Sequence, residues 1–184
     1  NGLNLCWESL EGIAKHNGKF ISNPPPYISE YNNLYNLSLD KNPYLESQIA
    51  SVSDDIAYNN HDIEDALRAK LISLDSLMEI NYFKNIIIQL KDKYKNIEDE
   101  LLIYQMLRIS ISKMINDIIN NSKDKIAKFN ITDVNDVFNY KDFVISMSES
   151  MNKDCYLIKD FLYLNVYNHK SIYNKKKICC KNNK

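Results

Sequence analysis

Pro43-Tyr44-Leu45-Glu46-Ser47-Gln48-Ile49-Ala50-Ser51-Val52-Ser53-Asp54-Asp55-Ile56-Ala57-Tyr58-Asn59-Asn60-His61-Asp62-Ile63-Glu64-Asp65-Ala66-Leu67-Arg68 carries the clearest period in the chain. At 100° per residue Leu45, Ile49, Val52, Ile56 and Ile63 fall on one stripe, the pattern of an amphipathic helix. Asp54, Tyr58 and Asp62 fall on the other side at i, i+4, i+8, and so line up on adjacent turns. A helix starting near Pro43 is predicted, with Asn59-Asn60 as a candidate break before Leu67 and Leu71 continue the pattern. The polar face spans about 12 Å at 1.5 Å per residue. A carboxylate, a phenol and a carboxylate over that length suit a metal, a phosphate chain and a sugar hydroxyl in turn. From periodicity alone a solvated polar face is the simpler reading.

Toward the N-terminus, Leu3, Trp7, Leu10 and Ala14 recur at helical spacing, predicting a helix over Leu3–Lys15. Gly18 in His16-Asn17-Gly18 suits a left-handed stop. Asn23-Pro24-Pro25-Pro26 reads as an extended connector, and Tyr27–Leu39 as a surface loop with room for one short helix. Downstream, helices are predicted at Leu74–Ile80, Tyr82–Tyr94, Glu98–Asn120 and Met147–Tyr167. A short one over Asp133–Asn139 would be capped by Thr132 or Asp133. Ile86-Ile87-Ile88 fits a strand locally, but no second strand candidate exists to pair with it. The fold class is therefore all-α.

The 184 residues are 45% hydrophobic and 26% charged, enough for a domain with a real core. Only 3 Gly and 4 Pro argue against a loop-rich or all-β chain. Lys plus Arg (23) nearly balances Asp plus Glu (24), so no global field draws the chain to nucleic acid. Cys6, Cys155, Cys179 and Cys180 form neither a CxxC motif nor a disulfide framework, and read as reduced thiols of a cytoplasmic protein. No apolar run approaches the ~20 residues of a membrane span, and no secretory signal is recognisable. The basic tail from residue 171 onward reads as polar and frayed.

Three blocks resemble bacterial deoxyguanosine-triphosphate triphosphohydrolase-like proteins, deoxynucleoside-triphosphate triphosphohydrolases of the HD superfamily. Tyr44–Asp65 is similar to the family's Asp-Asp-Ile-Ala-Tyr followed by His-Asp-Ile-Glu-Asp. Gly2–Gly18 is similar to its Leu-Asn-Leu-Thr-Trp-Glu-x-Leu-Glu-Gly-Ile-x-Lys-His-Asn-Gly. A weaker echo runs from Lys159 to His169. The resemblance implies the C-terminal portion of an HD-superfamily helical fold, with residues 1–70 as the later part of the catalytic core and 71–170 as a helical extension. It implies that Asp54 is a metal ligand, and that Tyr58 and Asp62 line the nucleotide pocket near phosphates and sugar. It further implies a divalent metal (Mn, Fe or Mg) in the complete enzyme, a deoxynucleoside triphosphate substrate, and a homo-oligomer when complete.

The family's first metal-binding His, its His-Asp pair and its Gly-His-x-x-Phe-Gly-His stretch have no counterpart in the sequence. His61-Asp62 matches the Asp54 block and is not the metal-binding pair. One carboxylate does not hold a catalytic divalent ion against water, so the chain alone is expected to bind no catalytic metal and to leave deoxynucleoside triphosphates intact. The resemblance places the absent ligands in an N-terminal HD segment, the partner this portion would need. The rival reading is a non-catalytic helical interaction or oligomerisation module left by gene truncation. His16 either points into the cleft as substrate-binding residue or stands at a favourable helix end. Arg108 reads as an ion-pair residue before a phosphate ligand, and Tyr156, Tyr163, Tyr167 and Tyr173 read as packing residues.

Overall fold

The computed structural model describes residues 3–20 and 22–169, and among them there is no strand. The helices are α1 (Trp7–Ala14), α2 (Pro26–Leu34), α3 (Leu45–Arg68), α4 (Leu74–Leu77), α5 (Asn81–Lys93), α6 (Asp99–Lys128), α7 (Val134–Asn139) and α8 (Glu149–Leu162). The all-α expectation holds. Ile86-Ile87-Ile88 lies inside α5, with Ile86 and Ile87 fully buried and Ile88 turned outward. The Pro-rich connector ends one residue early, because Pro26 opens α2, the position where a missing N–H costs nothing. The predicted break at Asn59-Asn60 does not occur. Both side chains are buried, and Asn60 Nδ2 donates back to Ile56 O at 2.8 Å, so polar residues continue α3 instead of ending it. With α3 unbroken, the helical period keeps Asp54, Tyr58 and Asp62 on one side and Ile56 and Ile63 on the other. Ile49 departs from the predicted stripe: it is 48% exposed, while Gln48 is buried.

The chain divides into two compact units. The first contains residues up to Asp55 together with Asp117–Met147. Its packing is aromatic and polar. Trp7 meets Tyr44 edge-on at 5.6 Å and donates from Nε1 to Asn36 O at 2.8 Å. Tyr44 in turn meets Phe138 at 5.0 Å. Gly18 has φ 103°, a backbone conformation that disfavours side chains, and a Cβ there would stand 3.2 Å from the Phe143 ring. Helix α7 starts on a capping box in which Asp133 accepts from Asn135 N and Asp136 N.

The second unit contains Ile56–Asn116 and the residues from Ser148 onward. Here the core is conventional, with Phe83, Leu77, Leu102, Met106, Ile158 and Leu162 fully buried. Ser73 caps α4 through a reciprocal box with Ser76. Beyond Leu162 the helix widens into a π-helical turn over Tyr163–Tyr167, which shifts its side chains out of the α-helical register of α8. No described helix is long and apolar enough to cross a membrane.

Candidate functional site

In the first unit, α1 stops at Ala14 and the next two residues face different surroundings. Lys15 turns inward. Its Nζ donates to Ser38 O (3.1 Å), Lys41 O (3.2 Å) and Asn42 O (3.2 Å), and sits 5.2 Å above the Phe138 ring. It also contacts Glu11 Oε1 at 2.5 Å, with both side chains at 0% exposure. That contact is ionic. Burial lowers the pKa of the Lys15 ammonium below its ordinary value, and the close, oppositely charged Glu11 carboxylate opposes the shift. Asn42, next to the loop that receives Lys15, is fixed by donating to Tyr140 O at 2.5 Å and Asp142 O at 3.1 Å. Gln48 closes the same network, donating to Pro43 O (2.8 Å) and accepting from Ile145 N (3.0 Å).

His16 turns outward from this anchored segment, and its Nε2 lies 3.9 Å from Asp54 Oδ2, with side-chain exposures of 44% and 73%. The pair joins two residues singled out from the sequence. His16 also lines a cleft of about 1170 Å³ whose walls include Ile13, Leu45, Ala50, Ile126 and Val137. Glu8, Glu46 and Asp133 stand among the lining residues, which include no Lys or Arg.

In the second unit, Tyr58 is 59% exposed and Asp62 is half-buried. The Tyr167 hydroxyl donates to Asp62 Oδ2. Burial, then the hydrogen bond and charge of Asp62, raise the Tyr167 pKa far above the ordinary phenol range. Helical spacing makes Tyr167 a packing residue, and the π-helical turn gives it a polar partner instead. The only sequence signal for it is the Lys159–His169 block. Tyr156 and Tyr163 do not pack either, being 71% and 57% exposed, because α8 buries Cys155, Ile158, Phe161 and Leu162 on its other side. Tyr173 lies outside the described residues. Arg108 is exposed on α6, and among the described residues it pairs with no carboxylate. His61 faces solvent beside Glu64.

Among the described residues, no three His, Cys, Asp or Glu side chains come together to hold a metal ion. His16 and Asp54 are two donors open to solvent, and a divalent ion would need ligands beyond them.

No family model matches the chain. Curated proteins do. Over 172 residues it is 39% identical to the Deoxyguanosinetriphosphate triphosphohydrolase-like protein of Rickettsia rickettsii (strain Iowa), covering 94% of the chain and 45% of that relative. The protein of the same name from Rickettsia prowazekii (strain Madrid E) is 40% identical over 167 residues, covering 91% of the chain and 44% of the relative. The chain is homologous to the deoxyguanosinetriphosphate triphosphohydrolase-like proteins. It spans somewhat less than half the length of these relatives. The homology extends through nearly all of the chain, as the order and spacing of the three resembling blocks implied.

Proposed function

We propose that the chain is the C-terminal part of a metal-dependent deoxynucleoside-triphosphate triphosphohydrolase, acting on dNTP and water to give a deoxynucleoside and triphosphate. The homology to relatives that carry the triphosphohydrolase-like name is the observation that carries this reading. The chemistry of the side chains supports it. Asp54 offers a solvent-facing carboxylate beside an imidazole, as one ligand position of a larger set would. Asp62 Oδ2 accepts from the Tyr167 hydroxyl, and its other oxygen is offered to a hydroxyl of a sugar. Tyr58 presents a phenol on the same side of α3. The described residues bring too few donors together for a metal, so no hydrolytic step is assigned to the chain alone, and in isolation it is expected to leave deoxynucleoside triphosphates intact.

A single polypeptide joining the unmatched part of the R. rickettsii relative to this chain tests the proposal. Expected is Mn-dependent release of triphosphate from dGTP, reduced at least about 100-fold (~2.7 kcal/mol) in Asp54→Ala. A folded fusion without turnover overturns it. The rival, a non-catalytic helical interaction module, is favoured by one observation. Tyr156, Leu157, Tyr163 and Leu164 are 71%, 51%, 57% and 61% exposed at the end of α8. The inactive, folded fusion is the outcome that would select it.

A further inference from the structure

Lys15 Nζ has more oxygens around it than it has hydrogens to give. An ammonium carries three N–H donors. Its neighbours are Ser38 O at 3.1 Å, Lys41 O and Asn42 O at 3.2 Å, and Glu11 Oε1 at 2.5 Å. The second oxygen of that carboxylate, Glu11 Oε2, is fully buried and accepts no hydrogen bond among the described residues. Backbone carbonyls and a carboxylate in excess of the available donors suit a spherical cation, whose coordination is not limited to a fixed set of bonds. The carbonyls stand 3.1–3.2 Å from Nζ, farther than the about 2.0–2.6 Å that Mg²⁺ and Ca²⁺ demand. The charge calls for one positive unit, since Glu11 is the carboxylate in contact, while Asp40 and Lys41 act on Nζ with opposite signs. The loop is bent to present its carbonyls. Ser38 holds φ 50°, a left-handed conformation that a residue with a side chain seldom adopts, and its N–H donates to Asn36 Oδ1 at 2.9 Å. Leu37, Leu39 and Asn42 are buried, and the Phe138 ring closes one side 5.2 Å from Nζ.

We propose that Glu11 and the 38–42 loop form a monovalent-cation site, which Lys15 fills from within as a tethered ion. The loop folds around the charge, and the lysine frees it from drawing that charge out of solution. When the lysine side chain is removed, the ligand class the site takes is a potassium-sized ion or ammonium itself. Such an ion engages the three carbonyls and both Glu11 oxygens, one more oxygen than Nζ reaches. The tether also ties the end of α1 to the loop, one residue before His16. The site needs neither substrate nor catalytic metal.

The test uses the full 184-residue chain carrying Lys15→Ala, which removes the ammonium and keeps Glu11. Urea unfolding is compared in potassium, ammonium and tetramethylammonium chloride at equal ionic strength, each measured against the natural chain in the same salt. Tetramethylammonium is too large for the site and has no N–H to donate. The expected result for Lys15→Ala is a midpoint about 0.5 M higher in potassium or ammonium than in tetramethylammonium, beyond any difference the natural chain shows. Lys15→Met fills the space with an apolar stem, and Lys15→Ala with Glu11→Gln removes the countercharge, so neither should distinguish the cations. Amide exchange locates the effect. The N–H groups of Lys41 and Asn42, which donate to Ser38 O and Phe138 O, should lose protection in Lys15→Ala. Potassium in place of tetramethylammonium should restore it at least about tenfold. A Lys15→Ala chain that is indifferent to the cation, or that fails to refold in potassium and ammonium alike, overturns the site. An equal potassium response in Lys15→Met or after Glu11→Gln also overturns it, because the ion then acts elsewhere.

Discussion

Lys15 is a fully buried cation whose partners are one carboxylate and three backbone carbonyls. Removing one member of such a pair leaves the other charge uncompensated, which costs about 3–5 kcal/mol. Lys15→Met is therefore expected to lower the urea midpoint sharply. Glu11→Leu combined with Lys15→Met should recover most of the loss, since the buried carboxylate goes with the amine. Equal loss in the double and single variants would mean that the carbonyl contacts, not the charge pair, carry the effect. Tyr167 makes a prediction in the alkaline range. Its pKa is raised on folding by burial and by Asp62, so the native state holds this proton more tightly than the unfolded chain. The stabilisation is complete below the ordinary phenol pKa near 10 and is lost as pH climbs from there toward the folded value. Ultraviolet titration should show one tyrosine ionising well after the others, and Asp62→Asn should bring it back toward the rest. Neither contact is legible in sequence. Lys15 belongs to a recognisable Lys-His-Asn-Gly run, but its inward turn depends on a loop more than 20 residues away, and Asp62 and Tyr167 are separated by 105 residues.

Helices, by contrast, are readable wherever apolar residues repeat at 3.6. The period locates α3, α5, α6 and α8, because a buried face must recur with the backbone turn, although α6 runs on to Lys128, past the predicted end at Asn120. Errors arise where polar side chains satisfy the backbone. Asn60 returns its amide to Ile56 O and carries α3 across the predicted break. The π-helical turn leaves no trace in the sequence, since one wider turn changes neither composition nor local propensity. The cap of α7 is visible as Thr132-Asp133 and resolves to Asp133. Asp133→Ala should cost about 1 kcal/mol in chemical unfolding, the usual worth of an N-cap. Asp136 completes that box, and its pKa is lowered by backbone N–H groups of Thr132 and Asp133. Its contribution is therefore present above pH 3.8 and disappears as pH falls through the lower folded value. Asp136→Asn should remove that acid dependence from an NMR titration of the Thr132 and Asp133 amides, which donate to the Asp136 carboxylate.

At the scale of the whole chain, several large apolar side chains stay open to solvent, among them Leu3 (87% exposed), Leu34 (77%) and Ile13 (66%). Each few hundred Å² of such surface forgoes several kcal/mol at about 25 cal/mol per Å², against a total of about 5–15 kcal/mol for a domain. The purified chain is expected to bind an apolar dye, to self-associate in light scattering, and to lose structure below about 60 °C. A cooperative, monomeric transition well above that temperature without dye binding would mean that the chain is self-sufficient. The sequence announces this surface only indirectly. Leu3 and Ile49 belong to apolar periods that mark core positions, yet they are 87% and 48% exposed, and periodicity does not distinguish a covered face from an open one.

The inward turn of Lys15 also makes the chain its own clock. Amine-acylating reagents consume free lysines at a rate set by access to the unprotonated nitrogen. Among the described residues the chain offers many exposed lysines and one, Lys15, enclosed by carbonyls, a carboxylate and an aromatic ring. In a peptide-mapping time course, exposed lysines such as Lys84 and Lys91 should acylate early and Lys15 last, at the pace with which α1 lifts from the 38–42 loop. Mild urea should quicken Lys15 labelling selectively, and prompt labelling of Lys15 in native buffer would mean that the enclosure opens freely.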